Sequence, residues 1–120
     1  MKIKTTNTIL YCENWEETVS FYKSALQLPV IALNEWFVEF RLNSTARISI
    51  ADESRATIKS NYGKGLTLGL QVENIEALRT QLIESGLSPS EIKDVWGAKA
   101  IYLHDPEGNR IEFWAGQERT

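Results

Sequence analysis

Apolar and polar residues follow the same order in the two halves of this 120-residue chain. The repeat is clearest between two segments, ILYCENWEE (9–17) and GLQVENIEA (69–77). Each segment starts with alternating apolar residues, continues with Glu-Asn and ends in a helical pattern. Alternation predicts a strand, and a repeat at half the chain length indicates two structural units of the same kind.

Each half contains apolar residues three or four positions apart, a spacing that places them on one face of an α-helix. These residues are Trp15, Val19, Tyr22 and Leu26 in the first half and Ile75, Leu78 and Leu82 in the second. Asn14 and Asn74 are predicted to cap the two helices, because an Asn side-chain oxygen can accept a backbone N–H of the first turn. Pro29 and Gly86 are predicted to end them.

Short strand patterns follow each predicted helix. They cover residues 30–33, 35–42, 46–51, 90–95, 98–104 and 110–115. The last two enclose an Asp-Pro-Glu-Gly-Asn turn, where Pro106 suits the first central position of a type I turn and Gly108 supplies a positive φ. The element order is therefore βαβββ twice, which is an α+β fold.

We expect a single domain over residues 1–120, because one half-buried sheet and one helix make too small a core to fold alone. The first module covers about residues 1–51 and the second about residues 65–120. The polar segment 52–64 is predicted to connect them.

Charge and composition exclude several classes of partner. The formal net charge is −3 and the basic residues are scattered, which argues against nucleic acid or an anionic membrane as a partner. No apolar run approaches the ~18 residues of a membrane span, and the N-terminal segment lacks the apolar region of a signal peptide. The single cysteine, Cys12, allows no internal disulfide and suits a reducing compartment. We therefore expect a cytoplasmic protein.

Three features together carry a resemblance: the two βαβββ modules, the Phe21-Tyr22 pair and the ending Asp105-Pro106-x-Gly108-Asn109-x-Ile111-Glu112. The chain resembles the vicinal oxygen chelate superfamily, which contains glyoxalase I, extradiol dioxygenases and the fosfomycin and bleomycin resistance proteins. The resemblance covers nearly the whole chain. It implies modules that form a curved, half-open barrel around a ligand cavity, frequently completed in a homodimer. The superfamily often has Gly where this chain has Gln27, so the first helix must end on a less permissive residue.

The resemblance also implies where a metal would bind, on the first and the last strand of each module. Those positions are occupied here by Asn7, Ser49, Thr67 and Glu112. One amide, two hydroxyls and one carboxylate are a poor donor set for Zn, Fe, Mn or Ni. We expect no metal and no other cofactor.

Other chemistry has little support in the sequence. His104 is the only histidine and precedes the turn, so we expect a solvated or turn-capping side chain, with a ligand or acid–base role as the alternative. Cys12 is expected to be a small buried hydrophobe. Neither a Walker loop nor a Gly-x-Gly-x-x-Gly run is present, so nucleotide binding has no local support.

Glu112 is a lone carboxylate on an apolar strand, where alternation places it on the same face as Arg110 and Trp114. One hypothesis is that it faces a cavity and contacts a ligand. The other is that it forms a structural salt bridge, because a lone buried carboxylate is costly. The candidate basic partners are Arg110, Arg47 and Lys99.

Aromatic residues with a carboxylate favour a planar or cationic organic ligand, through stacking and cation–π contact. The predicted ligand-binding residues are Glu112, Trp114, Tyr102, Trp36, Glu39 and Trp96. The sequence therefore predicts a metal-free small-molecule-binding homodimer of the bleomycin-resistance type. The alternative is a metal-dependent enzyme of the glyoxalase or dioxygenase type, and a third possibility is a domain that keeps the fold without a ligand.

Overall fold

A computed structural model describes residues 1–116 and contains two four-stranded sheets, each with one parallel and two antiparallel strand pairs. The elements of the first module are β1 (Thr6–Cys12), α1 (Trp15–Ser20), a π-helical segment (Phe21–Ala25), β2 (Val30–Leu33), β3 (Phe37–Asn43) and β4 (Ala46–Asp52). Those of the second are β5 (Thr67–Gln71), α2 (Ile75–Glu84), β6 (Lys93–Val95), β7 (Ala98–His104) and β8 (Arg110–Gly116). The predicted α+β class with two βαβββ modules is confirmed.

The two sheets have the same topology, β1-β4-β3-β2 in the first module and β5-β8-β7-β6 in the second. Within residues 1–116 neither sheet closes on itself. The chain forms two compact units, the first being Met1–Tyr62 and the second beginning at Gly63. The predicted connection 52–64 contains one 3₁₀ turn, Glu53–Arg55. Residues 117–120, the end of the predicted second module, lie outside the described residues.

The first helix differs from the prediction at both ends. Asn14 has a φ of −91° and a ψ of 59°, and its side chain makes no capping hydrogen bond, so the predicted cap was wrong. Its ψ lies well below the extended values usual at a cap, and instead its carbonyl accepts the Thr18 hydroxyl at 2.7 Å. The helix ends in the π-helical segment, where the Leu26 N–H bonds the Phe21 carbonyl. Gln27 then reverses the chain with a φ of 56°, so it and not Pro29 ends the helix, in the unfavourable conformation that the sequence led us to expect.

The second helix follows the prediction closely. The Asn74 side chain accepts the Ala77 N–H at 3.0 Å, which confirms the predicted cap. At the other end Gly86 has a φ of 86°, and the Leu87 N–H bonds the Leu82 carbonyl at 3.0 Å. This is a Schellman motif, for which glycine is preferred because the position needs a positive φ.

Each sheet turns one face towards its own helix. In the first module this face is apolar, and the Tyr22 ring from the π-helical segment lies 6.2 Å from the Phe40 ring. In the second module the buried helix-facing residues are Ile101, Leu103, Ile111 and Phe113. Their strand neighbours alternate onto the opposite face, where Tyr102, Arg110 and Glu112 lie. No helix within residues 1–116 is long and apolar enough to span a membrane.

The turn between β7 and β8 is a buried hydrogen-bonded unit. Asp105 accepts the backbone N–H groups of Glu107 and Asn109 and the Asn109 amide, each at 2.9 Å. Gly108 has a φ of 99°, as predicted. Gly63 packs against the turn so closely that an added Cβ would lie 2.2 Å from the Gly108 carbonyl oxygen. The turn therefore fixes where β8 begins, and it needs glycine at position 63.

We expect Gly63→Ala to be much more destabilising than Gly65→Ala. The two glycines have φ values of 77° and 78°, but a Cβ at Gly65 meets nothing within 4 Å. Both variants lose free energy through the left-handed backbone, and only Gly63→Ala also collides with the turn, which adds about 1–3 kcal/mol. Urea unfolding of the two variants measures the difference, and equal losses of stability would contradict the packing described.

Candidate functional site

Glu112 lies in the middle of β8, a central strand of the second sheet, on the face that points away from α2. Only 8% of its surface is exposed. Its neighbours in register are Tyr102 on β7 and Gly69 on β5. The Tyr102 hydroxyl donates a hydrogen bond to Glu112 Oε2 at 2.8 Å. A buried carboxylate is thus held in the sheet by a phenol, which suits the rule that buried polar groups are hydrogen-bonded.

Arg110 stands two residues before Glu112 on the same face. Its Nε donates to the Thr67 hydroxyl at 3.0 Å, and its Cζ lies 4.7 Å from the centre of the Tyr102 ring. The guanidinium is therefore fixed by one neutral hydroxyl and by a cation–π contact. Glu112, Tyr102, Arg110 and Thr67 form one connected group across three strands, which we call the acid–phenol–guanidinium cluster.

The three basic residues proposed as salt-bridge partners of Glu112 each have another contact. Lys99 lies 3.6 Å from Glu76 on α2, and Arg47 lies 3.4 Å from Glu39 in the first module. Arg110 bonds Thr67 and covers the Tyr102 ring. The structural salt-bridge hypothesis therefore gains no support from the contacts of these cations.

The first module carries a different set of groups at the matching positions. Ser49 on β4 corresponds to Glu112 on β8, because Ser49 pairs in register with Ile9 and Glu112 pairs with Gly69, which are equivalent positions of the 60-residue repeat. Ser49 donates to the Asn7 side chain at 2.7 Å and is fully buried. Here a hydroxyl and an amide satisfy each other, with no carboxylate between them.

The residues at the expected metal positions do not fit a divalent transition metal. The Asn7 side-chain oxygen accepts a hydrogen bond from the Ser49 hydroxyl, and the Thr67 hydroxyl oxygen accepts one from the Nε–H of Arg110. A guanidinium at hydrogen-bonding distance from a ligand atom repels a second cation, and Zn, Fe, Mn and Ni prefer imidazole, thiolate or several carboxylates. Within residues 1–116, no group of three or more His, Cys, Asp or Glu residues could hold a metal ion.

The aromatic residues named from the sequence separate into two groups. Trp114 and Tyr102 are half-buried and share the Glu112 face. Trp36 precedes β3 and its ring contacts Phe37 edge-on at 5.7 Å. Trp96 lies in the two-residue turn between β6 and β7 and is 81% exposed. Of the six predicted ligand-binding residues, the structure therefore brings Glu112, Tyr102 and Trp114 together on one face.

Glu39, the remaining candidate, lies on the corresponding face of the first sheet in its ion pair with Arg47. His104 is exposed at the end of β7, directly opposite Arg110. Cys12 is fully buried on the helix-facing side of β1.

From the sequence, Arg110 was considered only as a possible salt-bridge partner of Glu112. Its contact with Tyr102 could have been anticipated only with the strand register, which places the two residues diagonally across β7 and β8.

Known proteins share this fold. A family model described as a glyoxalase-like domain matches residues 5–116. A glyoxalase/bleomycin resistance protein/dioxygenase from Nocardioides superposes with a TM-score of 0.80 at 19% identity, over 100% of this chain and 87% of that one. An antibiotic binding protein from a Streptomyces species superposes with a TM-score of 0.76 at 16% identity, over 98% of this chain and 97% of that one. Lactoylglutathione lyase from Agrobacterium tumefaciens superposes with a TM-score of 0.74 at 15% identity, over 92% of each chain.

We expect the purified protein to contain no stoichiometric divalent transition metal. Elemental analysis checks this directly, and melting with EDTA or with added Zn, Ni or Mn checks it by mass action. A specific site filled at a hundredfold excess over its Kd would raise stability by about 2.7 kcal/mol. One equivalent of metal that is present in the wild type and absent in Glu112→Gln would contradict this expectation.

Proposed function

The chain belongs to the glyoxalase-like domain family, and on that premise we propose that it is a metal-free binding protein for a planar or cationic small organic molecule. The ligand rests on the helix-free face of the second sheet, where the Glu112 carboxylate accepts its hydrogen-bond donor or cation. The Tyr102 and Trp114 rings supply the apolar contact.

One observation carries this proposal. A buried carboxylate shares with two half-buried aromatic residues a sheet face that its own helix does not cover. A carboxylate in such a place lowers stability unless it is hydrogen-bonded, and Tyr102 supplies a hydrogen bond without neutralising the charge. The negative charge can therefore attract a bound cation or donor, and aromatic walls with a few placed polar groups are typical of small-molecule sites.

An enzymatic role has weaker support. The side chains at the expected metal positions bond each other, Arg110 or Tyr102, and only one of them is a carboxylate, so metal-assisted chemistry lacks a suitable set of ligands. Among the structures that share the fold, one is described as an antibiotic binding protein and one as a lyase. At 15% and 16% identity these likenesses show the fold alone, and the choice between binding and catalysis rests on the residues of this chain.

We also propose that the protein is a symmetric homodimer in the cytoplasm, in which strands of one copy help to enclose the ligand site of the other. The edge strand β2 leaves backbone groups open to pairing and carries exposed apolar side chains, with Leu33 67% exposed and Ile31 44% exposed. Such edges favour pairing with another chain, and a second copy is the commonest partner. The buried lone thiol of Cys12 suits a reducing compartment.

Glu112→Gln is expected to weaken ligand binding and to leave the fold intact. Gln can still accept the Tyr102 hydrogen bond but removes the charge, so cationic aromatic ligands should lose about tenfold or more in affinity. Glu76→Gln is the matched control, since it removes one negative charge from an exposed pair on α2. Calorimetric titration of both variants with a screened cationic ligand measures the effect. Unchanged affinity together with a lowered melting temperature would show that Glu112 is structural.

The dimer is expected to persist at tens of micromolar in sedimentation velocity. Leu33→Glu places a charge on the exposed edge of β2 and should shift the protein towards monomer. Ile83→Glu is the matched control, because Ile83 is a similarly exposed apolar residue on α2. A wild-type monomer at this concentration, or an equal response of the two variants, would contradict the proposed interface.

A further inference from the structure

Arg110 is held in place through its Nε and through one face of its guanidinium. Its Nε bonds the Thr67 hydroxyl and its flat guanidinium lies over the Tyr102 ring. Within residues 1–116, no hydrogen bond or ion pair of the side chain involves a terminal Nη atom. The residue is exposed on the same face of the sheet as Glu112, so the N–H groups of these two atoms are accessible to a ligand on that face. The guanidinium is therefore held at its Nε and at one face, and the edge formed by its two Nη atoms is accessible to a ligand.

In the first module, the arginine at the corresponding position forms an ion pair with a carboxylate. Arg47 corresponds to Arg110, two residues before Ser49 on β4. Its Nε lies 3.4 Å from a Glu39 carboxylate oxygen, and its Nη1 donates to the Asn43 carbonyl at 3.3 Å. Tyr102 stands in the second module where Glu39 stands in the first. The second module therefore has, in place of a neutralising carboxylate, a ring that positions the cation without cancelling its charge.

We propose that Arg110 binds a carboxylate of the ligand while Glu112 accepts a cationic or donor group, so that the ligand is a planar zwitterion. This inference rests on the proposed function and specifies the ligand's chemical class. Side chains two residues apart on one face of a strand are separated by about 7 Å, which is the span that the two groups of such a ligand must bridge. His104, opposite Arg110 in register, adds a second group that can donate to an anion there.

A carboxylate fits this site because of the geometry of the guanidinium. The contact with Tyr102 covers one face of the group, and the bond to the Thr67 hydroxyl takes up its Nε. The remaining edge presents parallel N–H donors, which match the two oxygens of a carboxylate and form a bidentate pair. A lysine would offer a point charge without this edge, so Arg110→Lys should keep part of the attraction and lose the directional pairing.

A matched set of one-ring probes tests the inference. The probe 4-(aminomethyl)benzoate carries a carboxylate and an ammonium group. Benzoate carries only the carboxylate, benzylamine carries only the ammonium group, and benzyl alcohol carries no charge. Molecules of this size bind at about millimolar Kd at best, so protein-observed NMR titration is the suitable method. We expect the zwitterion to bind most tightly and to shift the Arg110 Nε–Hε resonance.

Three arginine variants test whether the effect belongs to Arg110 in the second module. Arg110→Gln should reduce the affinity for 4-(aminomethyl)benzoate and for benzoate about tenfold and leave that for benzylamine unchanged. Arg47→Gln, the matched control, should change none of the affinities. Arg110→Lys should give an intermediate loss, and the melting temperatures of all three variants report on the fold.

The outcomes distinguish the inference from the proposed function. If benzylamine or benzyl alcohol binds the Glu112 face and the carboxylate brings no advantage, the small-molecule site stands and the role of Arg110 is wrong. Equal effects of Arg110→Gln and Arg47→Gln would likewise contradict the role of Arg110 alone. If none of the four probes binds at the Glu112 face, both the proposed site and the inference are contradicted.

Discussion

The hydrogen bond from Tyr102 to Glu112 is the interaction on which the rest of the site depends. It allows a carboxylate to stand in a central strand of a sheet, where an unpartnered charge would be too costly to bury. It also fixes the Tyr102 ring, and that ring carries the guanidinium of Arg110. Gly69 leaves space on the other side of the carboxylate, since a Cβ there would come only within 3.7 Å of Oε1. One phenol thus positions an anion with its hydroxyl and a cation with its face.

The two modules share a topology and differ in the polar chemistry of the same strand positions. In the first, Ser49 bonds Asn7 and Arg47 pairs with Glu39, so the groups satisfy one another. In the second, a carboxylate occupies the position of Ser49 and a tyrosine occupies the position of Glu39. The first arrangement is self-contained and stabilises its sheet. The second places an anion and a cation on one face beside aromatic rings, an arrangement that suits recognition of a charged organic molecule.

Features governed by local sequence were predictable. The repeat, the order of helices and strands along the chain, the Asn74 cap and the positive φ of Gly108 all follow from rules about periodicity, capping and turns. The prediction that Gln27 must adopt an unfavourable conformation also held, with a φ of 56°. Apart from the repeat, these features depend on residues that are close together in the sequence.

Features that depend on register or on non-ideal helix geometry were not predictable. Asn14 has a good capping residue type, yet at its backbone angles the side chain makes no capping hydrogen bond, while its carbonyl accepts the Thr18 hydroxyl. The contact of Arg110 with Tyr102 joins two strands diagonally, and spacing within one strand cannot reveal it. Trp96 lies in a tight turn and has a positive φ, which is uncommon for a bulky residue. Its residue type therefore favoured a position on or beside a strand and did not predict the turn.

We propose that Glu112 serves ligand recognition and does not hold a buried cation in place. The free energy of unfolding of the double variant Tyr102→Phe/Glu112→Leu, measured by urea denaturation, tests it most directly. The double variant removes both partners of the hydrogen bond and leaves a well-sized apolar pair, so we predict stability equal to or greater than that of the wild type. A loss of about 3–5 kcal/mol would show that the carboxylate neutralises a buried basic group, and would contradict the account.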